Sequence, residues 1–216
     1  MDFSLAVETL AKGSEAACAL FLLPVFFAGD MMLNNGSEKQ KREYIPEIVA
    51  GRLKGCFALT EPDVGSDASR VSTRAVADGD DWVINGQKTL ITGAEIADYI
   101  MTVTRTDTEA RRYEGLSIFM VPRETPGITI NKLKKLGGCI ISTCEIFFED
   151  VRVSRELIMG GPEGLNQGWG QMIKQLDVER IMMGASHVAL AEKAFDDALA
   201  YAKQREQFGK PISPTR

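Results

Sequence analysis

Apolar positions crowd the chain from Leu5 to Leu33 at spacings that suit helices, and this density predicts a helical character for most of the first 55 residues. Ser37, followed three residues later by Gln40, forms a capping-box signature for a short helix. Pro46 suits the first turn of another short helix, and Gly51 its left-handed exit. From about Cys56 to Ser154 the period shortens to β-rich runs separated by turns. Strands are expected at residues 82–84 and 88–92, joined as a hairpin at Asn85-Gly86, and at 99–105, 116–122, 128–133 and 144–153. Runs this short and this closely spaced predict a small antiparallel β-barrel or sandwich. After the glycine-rich loop between Gly160 and Gly170 the helical period returns, with Ile173, Leu176, Ile181, Val188, Phe195, Leu199 and Tyr201 near one broad face. The expected class is α+β in three segments: helical residues 1–55, β residues 56–157, and a long helix within 158–216. The chain stops soon after that helix with nothing following to cover its apolar face, so truncation is expected.

The 216 residues carry 25 Lys+Arg against 30 Asp+Glu, a net charge of −5, with 44% hydrophobic and 25% charged positions. Such a chain can bury a sizeable core, which excludes disorder and collagen-like repeats. Mild acidity without a basic stripe argues against nucleic acid as a partner. The most apolar stretch, residues 16–29, is shorter than the roughly 20 residues a bilayer demands and contains Pro24, so no integral membrane segment is expected. Asp2, Glu8 and Glu15 outnumber Lys12 near the start, against a signal peptide, and the expected location is cytoplasmic, or the mitochondrial matrix in a eukaryote. Cys18, Cys56, Cys139 and Cys144 form no CxxC pair, so neither a disulfide framework nor a metal site is expected. His187, the single histidine, lies among apolar neighbours at helical spacing and reads as structural.

Three stretches carry candidate chemistry. Phe57-Ala58-Leu59-Thr60-Glu61-Pro62-Asp63-Val64-Gly65-Ser66-Asp67 places a strand end before a tight polar turn, whose hydroxyls and backbone N–H groups could receive phosphate without a lysine. Residues 85–93, Asn-Gly-Gln-Lys-Thr-Leu-Ile-Thr-Gly, end a second strand on a threonine. The final helix carries Leu176-Asp177-Val178-Glu179-Arg180 and, beyond it, Arg205-Glu206-Gln207-Phe208-Gly209-Lys210. In this order, and over nearly the whole chain, these stretches resemble the acyl-CoA dehydrogenase family of flavoenzymes. Residues 58–67 meet the family pattern of small residue, aliphatic, Thr-Glu, then Gly-Ser-Asp, with Val64 where a small residue is usual. The Asn-Gly-x-Lys-x-x-Ile-Thr segment, the strand at 145–153 and the Arg-x-x-Phe-Gly-Lys turn also fit. Cys139 departs from the pattern, standing where the family often has arginine.

The resemblance implies FAD, held between a middle β domain and a carboxy-terminal four-helix bundle of which this chain has the first long helix. It implies that Phe57, Leu59 and Thr60 line the isoalloxazine, with the Thr60 hydroxyl or a nearby N–H serving the N1/O2 edge, and that Gly65 and Ser66 sit at the pyrophosphate, Ser66 also near the acyl-CoA. Leu90, Ile91 and Thr92 would follow along the ring, Thr92 bonding N5 and Leu90 taking a place where many members carry tryptophan. Asp177, Val178, Glu179 and Arg180 match the segment that contacts acyl-CoA. Arg205, Gln207 and Phe208 match positions that reach the flavin of a neighbouring subunit, which implies a homodimer or homotetramer.

The implied reaction removes an α-proton from an acyl-CoA thioester while a β-hydride passes to flavin N5, electrons then leaving to an electron-transfer flavoprotein. In most members the base is a glutamate beyond the position of Arg216, but in some branches it stands just before the arginine of the long helix, where this chain has Glu179. Two alternatives remain open: an enoyl-CoA reductase resembling crotonobetainyl-CoA reductase, and a non-catalytic flavin- or CoA-binding fragment.

Overall fold

The computed structural model describes residues 2–213, with the side chains of residues 2 and 23–25 excepted. Helices α1 (Asp2–Gly13), α2 (Glu15–Leu22), α3 (Met31–Asn35) and α4 (Glu38–Val49) precede seven strands, β1 (Gly55–Ala58), β2 (Arg74–Asp78), β3 (Asp81–Thr92), β4 (Tyr99–Arg105), β5 (Leu116–Pro122), β6 (Ile128–Lys132) and β7 (Thr143–Ser154). The 37-residue helix α5 (Gly168–Gln204) and a small hairpin, β8 (Glu206–Gln207) with β9 (Lys210–Pro211), complete the chain. Two compact units result: residues 20–177, and residues 1–19 together with 178–216. Compactness therefore divides the chain differently from the three segments expected above, because residues 20–55 pack with the sheet.

Within residues 20–177 the strands form one sheet in the order β1-β4-β2-β3-β7-β6, with β5 also pairing to β4. It is mostly antiparallel; β1 and β2 each run parallel to β4. The expected α+β class therefore holds, with a curled sheet as its middle layer. The centre of the sheet is apolar on both faces. Along β4 and β5, Ile100, Phe119 and Val121 join one buried cluster, whereas Met101, Val103, Leu116, Ile118 and Met120 join the other, with Ala28, Met31, Tyr44 and Met172 from the helices. Side chains alternate across a strand, and residues 100–104 and 116–121 are all buried, Thr102, Thr104 and Ser117 included, so each face must have a cover.

The amino-terminal helices supply one of those covers. The expected capping box is present: the Ser37 hydroxyl accepts from Gln40 N and the Gln40 side chain accepts from Ser37 N. Gln40 does more than cap. Its amide donates to the carbonyls of Glu156 and Ile158 at 2.9 and 2.7 Å, and its oxygen also accepts from Gly160 N at 3.0 Å, pinning α4 to the segment after β7. Pro46 starts no new helix; it lies inside α4. The one backbone bond it forfeits is tolerated because Tyr44 and Ile48, one turn apart, are buried on the core side of the same helix. Gly51 provides the left-handed exit, at φ 71°.

Pro24 does not end the apolar helix either. Leu23–Asp30 is a π-helical stretch that begins directly after α2 with Pro24 as its second residue, so the widened turn falls where the proline interrupts the α-helical ladder. The Phe26 carbonyl in this stretch accepts from the buried Gln175 amide at 2.9 Å. Helix thus runs from Glu15 to Asn35, 21 residues, long and apolar enough to cross a membrane by length and composition, where residues 16–29 alone are not. Phe26, Ala28, Met31 and Met32 are nonetheless buried in the protein, as in a core helix.

The Asn85-Gly86 hairpin is also corrected. β3 runs unbroken through it as one strand, with a register shift against β7 between Ile84 and Gly86. The turn comes earlier, between Asp78 and Asp81, at Gly79 with φ 66°. Gly86 serves close approach instead: at φ 149°, a Cβ there would lie 2.7 Å from the Thr73 Cα and hydroxyl. Asn85 exchanges hydrogen bonds with Asp150, its amide donating to Oδ1 at 3.0 Å and its oxygen accepting from Asp150 N at 2.9 Å.

Beside Gly86, an ion pair crosses the interior of this unit. Lys88 is wholly buried and Glu61 is 3% exposed. The Lys88 ammonium donates to Glu61 Oε1 at 2.8 Å and to the Leu59 carbonyl at 2.9 Å. Glu61 also accepts from Ser72 N, the Ser72 hydroxyl and Thr73 N at 2.8, 2.6 and 2.9 Å. Burial by itself pushes the Glu61 carboxyl up, but Lys88 and the Ser72 and Thr73 donors outweigh it and hold the group at about 2. Burial likewise pushes the Lys88 ammonium down, to about 8, with Glu61 opposing, so both partners remain charged at pH 7.

In the other unit, α1 and α5 are bridged by Lys12 and Glu192 at 2.8 Å, and Cys18 donates to the Val7 carbonyl. Phe208 and Gly209, both at positive φ, form the two-residue turn of a tight hairpin between β8 and β9. All four cysteines are free thiols, as expected. His187 bonds the Met183 carbonyl of its own helix at 2.6 Å and is exposed.

Gly86→Val should cost about 2–4 kcal/mol in urea unfolding, from backbone strain and the clash with Thr73, whereas Gly79→Asn, which meets open space, should cost under about 1 kcal/mol. Because the Glu61 carboxyl is held below its ordinary 4.5, its stabilising contribution is complete above pH 4.5 and is lost as pH falls toward about 2. Glu61→Gln should therefore unfold more easily at pH 7 and show a shallower loss of stability between pH 4.5 and 2.

Candidate functional site

β1 delivers the chain from the core into the polar turn. Phe57 stacks on Phe27, rings parallel within 3° and centroids 6.0 Å apart, and Leu59 packs partly buried against the helix-covered core. Thr60 follows, half-buried, its carbonyl accepting from Thr89 N at 2.9 Å. This bond ties the exit of β1 directly to β3. Glu61 and Val64 then close a tight turn by exchanging backbone hydrogen bonds at 3.0 and 3.1 Å, which leaves Gly65, Ser66 and Asp67 exposed at its far side. The backbone N–H groups of Thr60, Gly65 and Ser66 make no hydrogen bond to any described residue. A Cβ at Gly65 would meet nothing within 4 Å, so the turn has open space beside it. Asp67 accepts from the Ser69 hydroxyl, and Arg105 donates to the Ser69 carbonyl at 2.7 Å, fixing the end of the loop.

The end of β3 supplies the second edge. A register shift against β7 falls between Lys88 and Ile91, and Leu90 within it adopts φ 59°, a left-handed conformation unusual for a residue with a Cβ. Leu90 is 61% exposed and Thr92 is exposed, while Ile91 between them is buried in the sheet core. The Ile91 side chain is thus a core residue, and only its backbone is left for a ligand. The Thr92 hydroxyl, like that of Thr60, has no hydrogen-bond partner among the described residues. Since Thr89 N bonds the Thr60 carbonyl, the strand that ends in Thr92 lies alongside the β1 exit. One unit therefore brings together Phe57, Leu59, Thr60, Gly65, Ser66, Leu90 and Thr92.

The remaining sequence candidates are not among these. Asp177 closes that unit, and Val178, Glu179 and Arg180 open the helical one. Along α5, Asp177 and Arg180 are exposed and Val178 and Glu179 half-buried. Burial raises the Glu179 carboxyl above its ordinary range, with Arg180 pulling against it, a direction that suits a proton acceptor. Arg205 follows α5, Gln207 lies in β8 and Phe208 in the turn, all exposed, Phe208 completely. Sequence reasoning passed over Glu61 and Lys88, though both stand inside the quoted motifs. The sequence signal was faint: Lys88 stands between Gln87 and Thr89, and only its even spacing from Ile84 along the strand places it on a core face, where a lysine needs a carboxylate beside it.

The sequence model of the acyl-CoA dehydrogenase middle domain matches residues 56–151, and that of the acyl-CoA dehydrogenase C-terminal domain matches residues 166–215. A probable acyl-CoA dehydrogenase of Bacillus subtilis is 37% identical over 217 residues, covering 99% of this chain and 56% of the relative. A subunit of a caffeyl-CoA reductase–Etf complex from Acetobacterium woodii is 36% identical over 214 residues, covering 99% of this chain and 55% of the relative. Among solved structures, a glutaryl-CoA dehydrogenase from Mycobacterium smegmatis in complex with FADH2 superposes with a TM-score of 0.87 at 31% identity, over 97% of this chain and 52% of that one. The chain spans about half the length of the curated relatives it matches. With both domain models matched in order along the chain and relatives of more than a third identity covering almost all of it, this chain belongs to the acyl-CoA dehydrogenase family.

Proposed function

We propose that the chain is the flavin- and thioester-binding part of an FAD-dependent acyl-CoA dehydrogenase, which forms an α,β double bond in an acyl-CoA. The observation that carries this reading is the side-by-side setting of the β1 exit and the β3 end, joined at Thr89 N and the Thr60 carbonyl. It leaves one backbone N–H and two hydroxyls without partners among the described residues on adjoining edges. These residues fit a flavin: the ring needs donors along its polar edge and apolar contact across its face, and Thr60, Thr92, Leu59 and Leu90 have that chemistry. The N–H groups of Gly65 and Ser66 suit a pyrophosphate, as backbone nests do. When bound, the flavin supplies the two-electron acceptor for a β-hydride. The chain's own part is to hold donors where negative charge gathers, ready-oriented, so that no reorganisation is needed during the reaction.

Glu179 is our candidate for the α-proton acceptor, with Asp177, Val178 and Arg180 in the same thioester-contacting segment. Partial burial favours its uncharged form and so brings its basicity closer to that needed for a weak carbon acid. Arg205, Gln207 and Phe208 are proposed to reach the flavin of a neighbouring copy in a homodimer or homotetramer, with an electron-transfer flavoprotein as electron acceptor. The likeness to a caffeyl-CoA reductase subunit, near 36% identity, supports a second reading, an enoyl-CoA reductase with the same site working in reverse. A cytoplasmic or mitochondrial-matrix setting is proposed on the same family ground.

Titrating FAD into the protein and following its fluorescence tests the site. Binding is expected, and Thr60→Val and Thr92→Val should each weaken it by up to about tenfold, the worth of one hydrogen bond; a folded protein that takes up no flavin would refute the reading. With flavin bound, bleaching by an acyl-CoA against reoxidation by an enoyl-CoA decides the direction, and Glu179→Gln should abolish the bleaching if Glu179 is the base.

A further inference from the structure

Lys88 and Glu61 are unexplained by stability alone. Removing two charges from water costs several kcal/mol per ion, and apolar residues of like volume in such a place are often equally stable or more so. The pair is also more elaborate than a filler would need. Four hydrogen bonds from three residues lock Glu61, and Glu61 in turn locks the ammonium, whose other bond goes to the Leu59 carbonyl.

That carbonyl belongs to the same peptide unit as the Thr60 N–H. In a planar trans peptide the C=O and N–H point in opposite directions, so with Leu59 O turned to Lys88 the Thr60 N–H is directed away from it, and it has no partner among the described residues. The next carbonyl, that of Thr60, is held by Thr89 N, the neighbour of Lys88 on β3. Two adjacent residues of one strand thus fix both peptides around Thr60. An ammonium on the oxygen of a peptide draws electron density from its nitrogen and strengthens the N–H as a donor, by about 10–30% per linked bond.

Building on the flavin-site reading above, we propose that Lys88 is a positioning residue that acts on the flavin through the Leu59–Thr60 peptide, sharpening the Thr60 N–H as a donor to the charge of the reduced ring, with Glu61 as the counter-ion that keeps the ammonium in place. The pair is neutral as a whole, so its influence is confined to this one peptide and the donor at its end.

The test compares Lys88→Met with the double variant Glu61→Gln, Lys88→Met in the flavin-loaded protein, by midpoint potential, flavin affinity and thermal stability. Lys88→Met leaves a buried carboxylate unpaired and should lose stability and flavin together. In the double variant no charge is stranded, and the amide oxygen that replaces one carboxylate oxygen can still accept from Ser72 N and the Ser72 hydroxyl while the amide NH2 meets the Thr73 N–H, so stability and affinity for oxidised flavin should return part of the way to the wild-type values. The affinity for reduced flavin should stay about threefold to tenfold lower than the oxidised affinity predicts, a potential about 15–30 mV more negative for a two-electron couple. A double variant with the wild-type potential would show the pair to be a scaffold only and overturn the inference while leaving the flavin site standing. A folded wild-type protein without flavin overturns both.

Discussion

A lysine with no access to water must meet its counter-charge inside the protein, and in this fold that requirement draws three segments to one point. Lys88 comes from β3, Glu61 from the turn after β1, and Ser72 and Thr73 from the approach to β2. Each would otherwise be free to slide. Polar groups buried in pairs have few acceptable arrangements, because any shift leaves a charge without its partner. The two edges with ligand chemistry, at Thr60 and Thr92, lie just beyond this anchor. Their separation is set by a polar constraint rather than by apolar packing, which tolerates small displacements more readily.

The apolar framework does a different task. β4 and β5 are buried on both faces, and the helices between Leu20 and Val49, with the first turns of α5, cover one of them. Gln40 and Gln175 show how that cover is attached. Each is a buried amide that satisfies backbone carbonyls left over elsewhere, Gln40 behind β7 and Gln175 at the π-helical turn. At the π-helical stretch a side chain from α5 adds its own bond to a backbone carbonyl. Rigid support of this kind lets short exposed loops carry the chemistry.

Much of the molecule was legible in its residues. The strands at 99–105 and 116–122 are the observed β4 and β5, because β-rich runs such as Ile118-Phe119-Met120-Val121, set between turn signals, have little else to become. The Ser37–Gln40 box is local chemistry, complete within four residues. Asn85-Gly86 and Pro46 misled for a common reason: each is a strong local signal overridden by distant partners. Asn85 is engaged by Asp150, sixty-five residues on, and Gly86 by Thr73, so the strand passes straight through a favoured turn sequence. Pro46 stays helical because Tyr44 and Ile48 are held in the core.

The family resemblance could be recognised in the chain's own motifs, since stretches such as Thr60-Glu61 and Gly65-Ser66-Asp67 are properties of neighbouring positions. Which atoms of those residues are available was decided only by the folded chain. Periodicity could not tell that Ile91 turns into the core while Leu90 and Thr92 turn out, because the register shift that sets their direction depends on pairing with β7. Nor could it show that Lys88 reaches the Leu59 carbonyl. Hydrogen bonds between residues twenty-nine apart exist only once the sheet has brought them together, whereas caps, turns and apolar runs are settled by the chain's nearest neighbours.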